Sequence, residues 1–334
     1  MEPRTVGIEE EFLLVDPSDG KPRATATAVL SAAEMPPSDD VEAELQLQQI
    51  ETGTQPCRSL DQLEKRIRSA SAAARSIGVE ITALGTSPLP VDAELTPSPR
   101  YERLARRFGL TAQEQLTCGC HVHVGVGSDE EGVAVLDRIR PWLAPLLALS
   151  ANSPFWQGED THYASYRSRV WCRWPSAGST DLFGSAEAYH NTVRNMVETG
   201  TVLDAAMVYF DARLSEQYPT VEIRVADVCL HAEDALLIAA LARALVETAA
   251  RDWAAGRPAE PVRAEILKLA SWRAGRSGIA GELIDPATLR PHAAATAIQS
   301  LFRHVRDALE DSGDHTPALE LWNELRRRGN GAQL

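Results

Sequence analysis

From residue 7 the chain reads Gly-Ile-Glu-Glu-Glu-Phe-Leu-Leu-Val-Asp, an apolar run with three acids set into it. Its apolar and aromatic content predicts a strand. Alternate strand side chains share a face, so Glu9 and Glu11 point one way and Glu10 the other. Glu10 is therefore expected behind the sheet, paired, or exposed at its edge. Burying an unpaired carboxylate costs several kcal/mol, so two acids side by side on a core strand require cations or protons to balance them.

The same alternation recurs twice. In Leu-Thr-Cys-Gly-Cys-His-Val-His-Val-Gly-Val-Gly (116–127), His121 and His123 share one face, while Cys118, Cys120, Val122, Val124 and Val126 take the other. In Tyr-Pro-Thr-Val-Glu-Ile-Arg-Val (218–225), Thr220, Glu222 and Arg224 oppose Val221, Ile223 and Val225. If these strands are sheet neighbours, one face of the sheet is a ligand surface and the other a core.

Between them the chain alternates turns, strands and helices. Asp-Pro-Ser-Asp-Gly (16–20) is a turn signal, and the segment through residue 40 reads as a surface connection. Residues 41–52 read as one strand, alternating from Glu44 onward; Glu44 and Glu51 then lie on opposite faces unless a bulge or bend intervenes. Ser59 to Gln62 forms a capping box, opening a helix whose apolar positions Leu60, Leu63, Ile67, Ala70, Ala74 and Ile77 end at Gly78. A short strand at 79–84 and a helix near 99–107 follow. Ser128 to Glu131 is a second capping box, and Pro141 and Pro145 predict a kink or restart in the helix it opens. Residues 150–158 are loop-like.

Residues 163–174 concentrate Arg167, Arg169 and Arg173 among Tyr163, Tyr166, Trp171 and Trp174. Arginine stacked on aromatic rings and forked toward an anion is a common recognition device, which makes Arg167 and Arg169 ligand candidates. A helix at 185–199 precedes Asp211 and Arg213 at the end of another strand. From 234 to 256 runs a long Ala/Leu-rich helix, and helical patterns continue to residue 328 without a catalytic signature. The length suits one large domain or two, with sheet-forming segments at about 5–230 and helical cover at about 232–328.

Composition narrows the function. A formal charge of −14 argues against a general nucleic-acid binder. No run reaches the roughly 18 apolar residues of a bilayer span, and the region after Met1 is charged rather than signal-like, so a cytosolic protein without a membrane partner is expected. The five cysteines are scattered and odd in number, which is not a disulfide framework. Cys118 and Cys120 read as packing residues.

Carboxylates with an occasional imidazole suit hard cations such as Mg²⁺ or Mn²⁺. The bland alternative pairs these groups with one another as salt bridges in a mixed core. P-loop, dinucleotide-fold, nucleophile-elbow and zinc-helix motifs are all missing from the chain. A carboxylate-rich sheet face with Glu222-Ile-Arg224 could hold a nucleoside triphosphate through metal ions, with Arg224 stabilising the phosphoryl group in transfer. Two other readings stay open: a metal-dependent hydrolase using the same His/Glu cluster to activate water, and a nucleotide-binding protein without turnover.

Six segments together resemble the type 2 glutamate-cysteine ligase, or carboxylate-amine ligase, family. They are 7–16, 44–52, Gly-Cys-His-Val-His-Val-Gly (119–125), Ala-Leu-Ser-Ala-Asn-Ser-Pro-Phe-Trp (148–156), Tyr-Ala-Ser-Tyr-Arg (163–167) and Thr-Val-Glu-Ile-Arg-Val-Ala-Asp (220–227). The resemblance implies an α+β protein and a single catalytic domain, 1–334, with a curved, mainly antiparallel sheet backed by helices, similar to the glutamine synthetase and guanidino kinase catalytic fold. It implies an ATP-dependent reaction in which a carboxylate is phosphorylated and an amine attacks the acyl phosphate to give an amide. At matching positions it implies that Glu9, Glu11, Glu51, His123 and Glu222, with Glu44 in addition, hold two or three Mg²⁺ or Mn²⁺ ions. Arg224 is then the phosphate-binding arginine, and His121, Arg167 and Arg213 bind substrate carboxylate or phosphate, with Arg167 and Arg224 the catalytic pair. The expected partners are a small carboxylate and a small amine, glutamate and cysteine being the pair the family is named for; homo-oligomers are left open.

Overall fold

The computed structural model describes residues 2–32, 41–75 and 80–334. In chain order the elements are β1 (Val6–Val15), α1 (Ala26–Ala32), β2 (Val41–Ala43), β3 (Gln49–Gly53), α2 (Leu60–Arg75), β4 (Glu80–Thr82), α3 (Pro99–Phe108), α4 (Leu110–Gln113), β5 (Gly119–Gly125), α5 (Asp129–Ile139) and α6 (Leu143–Ser150). The second half adds β6 (Phe155–Trp156), β7 (Glu159–Asp160), α7 (Arg167–Trp171), α8 (Ala186–Glu198), β8 (Ala212–Leu214), β9 (Thr220–Asp227), α9 (Ala232–Ala254), α10 (Ala264–Ser277), β10 (Glu282–Asp285), β11 (Arg290–Ala293), α11 (Ala294–His304), α12 (Arg306–Ser312) and α13 (His315–Arg328).

Among the described residues the main sheet has seven strands in the order β2-β3-β1-β5-β9-β8, with β4 also on β1. The strand pairs within it are antiparallel. One face carries Val6, Ile8, Cys120, Val122, Val124, Val221 and Ile223 into a large apolar core shared with α5, α6 and α9. Burying each such Val or Ile contributes about 1.5–3 kcal/mol, so this apolar parity fixes which side the polar residues must occupy. The fold is α+β, as expected.

Local signals explain most boundaries. The Ser59 hydroxyl accepts from the Gln62 N–H at 3.3 Å, and Leu60, Leu63 and Ile67 are buried as the helical spacing requires. Ser128 caps α5 through the Glu131 N–H, and Pro141 interrupts that helix with a 3₁₀ turn at Arg140–Trp142 before α6. The expected stop at Gly78, Ile77 and the start of the strand at 79 lie outside the described residues, as does 33–40 of the first connection.

Three expectations change. Residues 41–52 are a hairpin, not one strand: β2 and β3 pair Glu42 with Glu51, and Glu44 lies in the connection. The Gln-Leu-Gln-Gln sequence keeps its alternation through the turn, where backbone bonds such as Gln49 N–H to Gln46 C=O close the chain on itself. The C-terminal third is mainly helical but contains the β10–β11 hairpin, and 150–158 carries short strand β6. Of the two places left open for Glu10 the structure takes the one behind the sheet, where burial pushes its carboxyl up to about 7.

Candidate active site

Strand register lays the polar face out in rows. Arg213 on β8 stands opposite Glu222 on β9, Glu222 opposite His123 on β5, and His123 opposite Gly7 on β1. In the next row His121 stands opposite Glu9, and Glu9 opposite Gly53. A third row sets Asp227 opposite Gly119, and Glu11 opposite Glu51 and Glu42 beyond it. Glu11 Oε2 accepts the Gly119 N–H at 2.5 Å, tying β1 to β5 in that row.

Three groups of donors follow these rows: Glu9–His123–Glu222, Glu9–Glu51–His121 and Glu11–Glu44–Glu51, each with its ligand atoms within 4.8 Å of one another. Glu9 belongs to the first two and Glu51 to the last two, so the groups form a chain across the sheet. The bend between β2 and β3 is what brings Glu44 to Glu51. Carboxylate oxygens with one imidazole fit hard divalent cations. The imidazoles are arranged differently from each other. His123 Nδ1 lies 2.9 Å from the Thr220 hydroxyl, and its Nε2, 3.2 Å from Glu9 Oε1, makes no hydrogen bond. With Nδ1–H donating to Thr220, Nε2 keeps its lone pair for a cation. His121 instead has Arg224 Nη1 3.5 Å from its Nδ1, leaving a buried Nε2 without a partner.

Charge in the site divides by row. Burial would raise the Glu222 carboxyl, but Arg224 and Arg213 outweigh it and hold the group at about 2. Arg213 Nε donates to Glu222 Oε2 at 2.6 Å, and Arg224 Nη1 donates to the other oxygen. Burial and then Arg224 lower His121 to about 4, so it is neutral near pH 7. Glu9 is held below the usual carboxylate range: burial opposes this, but contacts to His121 and His123 prevail. At the other end burial and the nearby Glu44 push Glu11 up to about 7 against Arg167 and the Gly119 N–H. Burial and then Glu44, Glu9 and Glu11 raise Glu51 well above its ordinary value. Those acids repel one another until cations or protons arrive.

The face forms the floor of a cavity of about 710 Å³, lined by Glu9, Glu11, Glu44, Glu51, His121, His123, Arg213, Glu222 and Arg224. Arg167 does not line it. Its side chain is 2% exposed and lies under Trp171, whose ring centre is 5.5 Å from the Arg167 Cζ and 5.4 Å from the Arg224 Cζ. Arg169 and Asp211 also lie outside the lining; Asp211 accepts from the Ser179 hydroxyl at 2.6 Å.

The sequence model described as Glutamate-cysteine ligase family 2 matches residues 5–333. The chain belongs to this family. A Streptomyces avermitilis protein named "Putative glutamate--cysteine ligase 2-1" is 57% identical over 337 residues, covering 99% of this chain and 93% of its own length. A Streptomyces coelicolor relative of corresponding name is 54% identical, with 99% and 93% coverage. Among solved structures, a Francisella tularensis glutamate–cysteine ligase crystallised with AMP superposes with a TM-score of 0.63 at 15% identity, over 100% of this chain and 86% of that one. That likeness shows a shared fold. Family 2 membership makes the chain an ATP-dependent ligase that joins a carboxyl group to an amine, and it decides against the hydrolase reading.

Strand alternation missed one polar residue of the family 2 face. Between Cys120–Ala226 and Val122–Ile223 the register shifts, so Arg224 and Val225 together oppose His121. This bulge reverses parity beyond it. Ala226 joins the core, and Asp227 turns to the polar side, where it is fully buried. Asp227 accepts from the Asn152 N–H (2.9 Å) and from the Ser153 (2.7 Å) and Ser165 (2.8 Å) hydroxyls, and lies 3.9 Å from Arg167 Nη1. The Arg167 N–H donates to the Ser153 hydroxyl at 3.0 Å. Asp227 thus fastens the 152–167 loop to the sheet and holds Arg167 over Gly119, where a Cβ would lie 2.8 Å from the Arg167 Cζ. Only glycine at 119 leaves the guanidinium that space.

Proposed function

We propose that this ligase phosphorylates the carboxyl group of a small acid with ATP and that an amine then displaces the phosphate, glutamate and cysteine being the pair the family name suggests. The reading is carried by the chain of three donor groups linked through Glu9 and Glu51 and bordered by Arg224 and Arg213. Glu9, Glu51, His123 and Glu222, with Glu11 and Glu44, are the residues that would hold two or three Mg²⁺ or Mn²⁺ ions. Bound there, the cations would neutralise the triphosphate and draw charge from the phosphoryl group in transfer.

The chain's own residues do the rest by position and charge. Arg224, anchored through Nη1 on Glu222, offers its remaining donors to the phosphoryl oxygens as negative charge develops. Arg213, held to the same carboxylate, borders the phosphate side. His121, kept neutral by burial and Arg224, has its Nε2–H free to donate to phosphate or to the acid. Arg167 sits over Gly119 on the same face, covered by Trp171, and its charge acts on Glu11 from outside the cavity. No protein nucleophile is required, because holding acid, phosphoryl donor and amine together removes most of the entropic barrier. We place this single catalytic domain in the cytoplasm, where ATP is available; among the described residues no helix is long and apolar enough to cross a membrane. A coupled ADP-release assay over acids and amines tested in pairs checks the reading. ADP should require Mg²⁺, one acid and one amine together; release without an acid would contradict it.

A further inference from the structure

Beyond Glu11 and Glu51 the cavity changes character. Its lining there includes Gln49, Gln115, Thr117, Tyr101, Leu104 and Trp174, all uncharged. Gln49 precedes Glu51 by two positions on β3 and so shares its face. Gln115 and Thr117 lead into β5, with the Gln115 Nε2 donating to the Thr117 hydroxyl at 2.9 Å. Trp174 packs edge-on to Phe108 at 5.1 Å and against Tyr209 at 5.5 Å, within a small apolar cluster that also holds Leu104.

Three of these side chains are almost wholly buried yet incompletely bonded. Gln49 is 3% exposed, Gln115 4% and Trp174 2%, and Gln49 Oε1, Gln115 Oε1 and Trp174 Nε1 have no hydrogen-bond partner. An unmet buried polar group costs about 1–3 kcal/mol; three of them sit on residues that line one cavity, so a ligand entering it would meet them after a small turn of each side chain. The lining cation beside Tyr101 is committed: Arg100 donates from Nε and Nη2 to the two Asp204 oxygens at 2.9 Å each. A carboxylate entering this end would find no free positive charge among the described lining residues, and an ammonium arm would find Glu11, Glu44 and Glu51 already neutralised by the cations of the ligase reading.

We infer that Gln49, Gln115 and Trp174 form a specificity recess for a short, uncharged, hydrogen-bonding arm (a hydroxyl, thiol or amide) on one of the two small substrates. The inference rests on the ligase reading for its context, but the recess is a property of the binding surface alone. The amides supply acceptor and donor atoms in either orientation, the indole N–H donates, and the aromatic and leucine walls limit length. Acid and amine are the two possible bearers of that arm.

The test uses the full chain with Mg²⁺ and a non-hydrolysable ATP analogue. Binding is measured by calorimetry for serine, cysteine, 2-aminobutyrate, aspartate and lysine as amines, and for 4-hydroxybutyrate, glutamate and glutaramate as acids, in wild type, Gln115→Leu, Gln49→Leu and Trp174→Phe. Wild type should prefer neutral, hydrogen-bonding arms at least tenfold over charged ones within the acid series or the amine series, which identifies the bearer. Gln115→Leu should lose that preference at least tenfold while binding 2-aminobutyrate or the nucleotide analogue unchanged. Trp174→Phe removes the indole donor and keeps an aromatic, though smaller, wall, so it reads the same loss if the leucine variants do not fold. Equal or tighter binding of charged arms, weakening of the nucleotide alone, or no effect of any variant would overturn the inference. Selective binding without ADP release from any pair would leave the recess standing and contradict the ligase reading.

Discussion

Glu9 reaches diagonally across the β1–β5 pair to His123, its Oε1 3.2 Å from the imidazole Nε2, while its other oxygen lies 3.6 Å from Nδ1 of His121, its register partner. One carboxylate thereby joins two of the three donor groups. Glu9→Gln removes charge with little change of volume, so the fold should persist while affinity for Mg²⁺ falls at least about tenfold. Calorimetric titration of Mg²⁺, with circular dichroism as the fold control, reads both.

Cations that bind the native face should also stabilise it. Occupancy at one hundred times the dissociation constant adds about 2.7 kcal/mol per site by mass action. Melting should therefore rise by several degrees when EDTA is replaced by Mg²⁺, and the rise should vanish in a Glu9→Gln/Glu51→Gln variant. Differential scanning fluorimetry makes the comparison directly.

Arg224 carries two loads, the buried Glu222 pair and the proposed phosphoryl contact. Arg224→Ala leaves Glu222 buried without its nearer partner, which costs about 3–5 kcal/mol by analogy with other broken buried pairs. Arg224→Lys keeps the charge but loses the planar fork. The lysine variant should therefore melt closer to wild type yet lose about 10²-fold in kcat. Equal losses of stability and activity in the two variants would assign Arg224 a structural role only.

Gly119→Ala tests the seat of Arg167 beside the site. The added methyl collides with the Arg167 guanidinium, and overpacking of this kind costs about 1–3 kcal/mol. Displacing Arg167 removes positive charge beside Glu11, so kcat should fall with little change in the KM for ATP. Cys118→Ala, one residue away but on the core side, should leave both constants within about twofold, since Cys118 only fills apolar space.

Much of this site was legible because period-two alternation is a local property. Glu9 with Glu11, His121 with His123, and Glu222 with Arg224 share faces whatever the rest of the chain does, and the rows then follow from pairing. Asp227 was hidden by the Arg224–Val225 bulge, which inverts parity without any residue that marks it. Glu44 reaches Glu51 through the bend that alternation alone leaves open; the turn itself was hidden because Gln and Leu alternate as readily through it as along a strand. Arg167 looked like a ligand group from its aromatic neighbours, and those same neighbours cover it; whether an arginine faces a cavity or lies under its wall depends on distant partners, here Gly119 and Asp227. Gln49, Gln115 and Trp174 carried no signal, since neutral side chains become informative only when their bonds can be counted.

The central claim is that the phosphoryl group passes to a carboxylate before the amide forms. Carboxyl-¹⁸O-labelled acid, turned over with Mg-ATP and the amine that supports ADP release, tests it most directly. Mass spectrometry should find one ¹⁸O in each phosphate released and one fewer in the amide product. Phosphate carrying oxygen from solvent alone, at the same rate of ADP formation, would contradict the account.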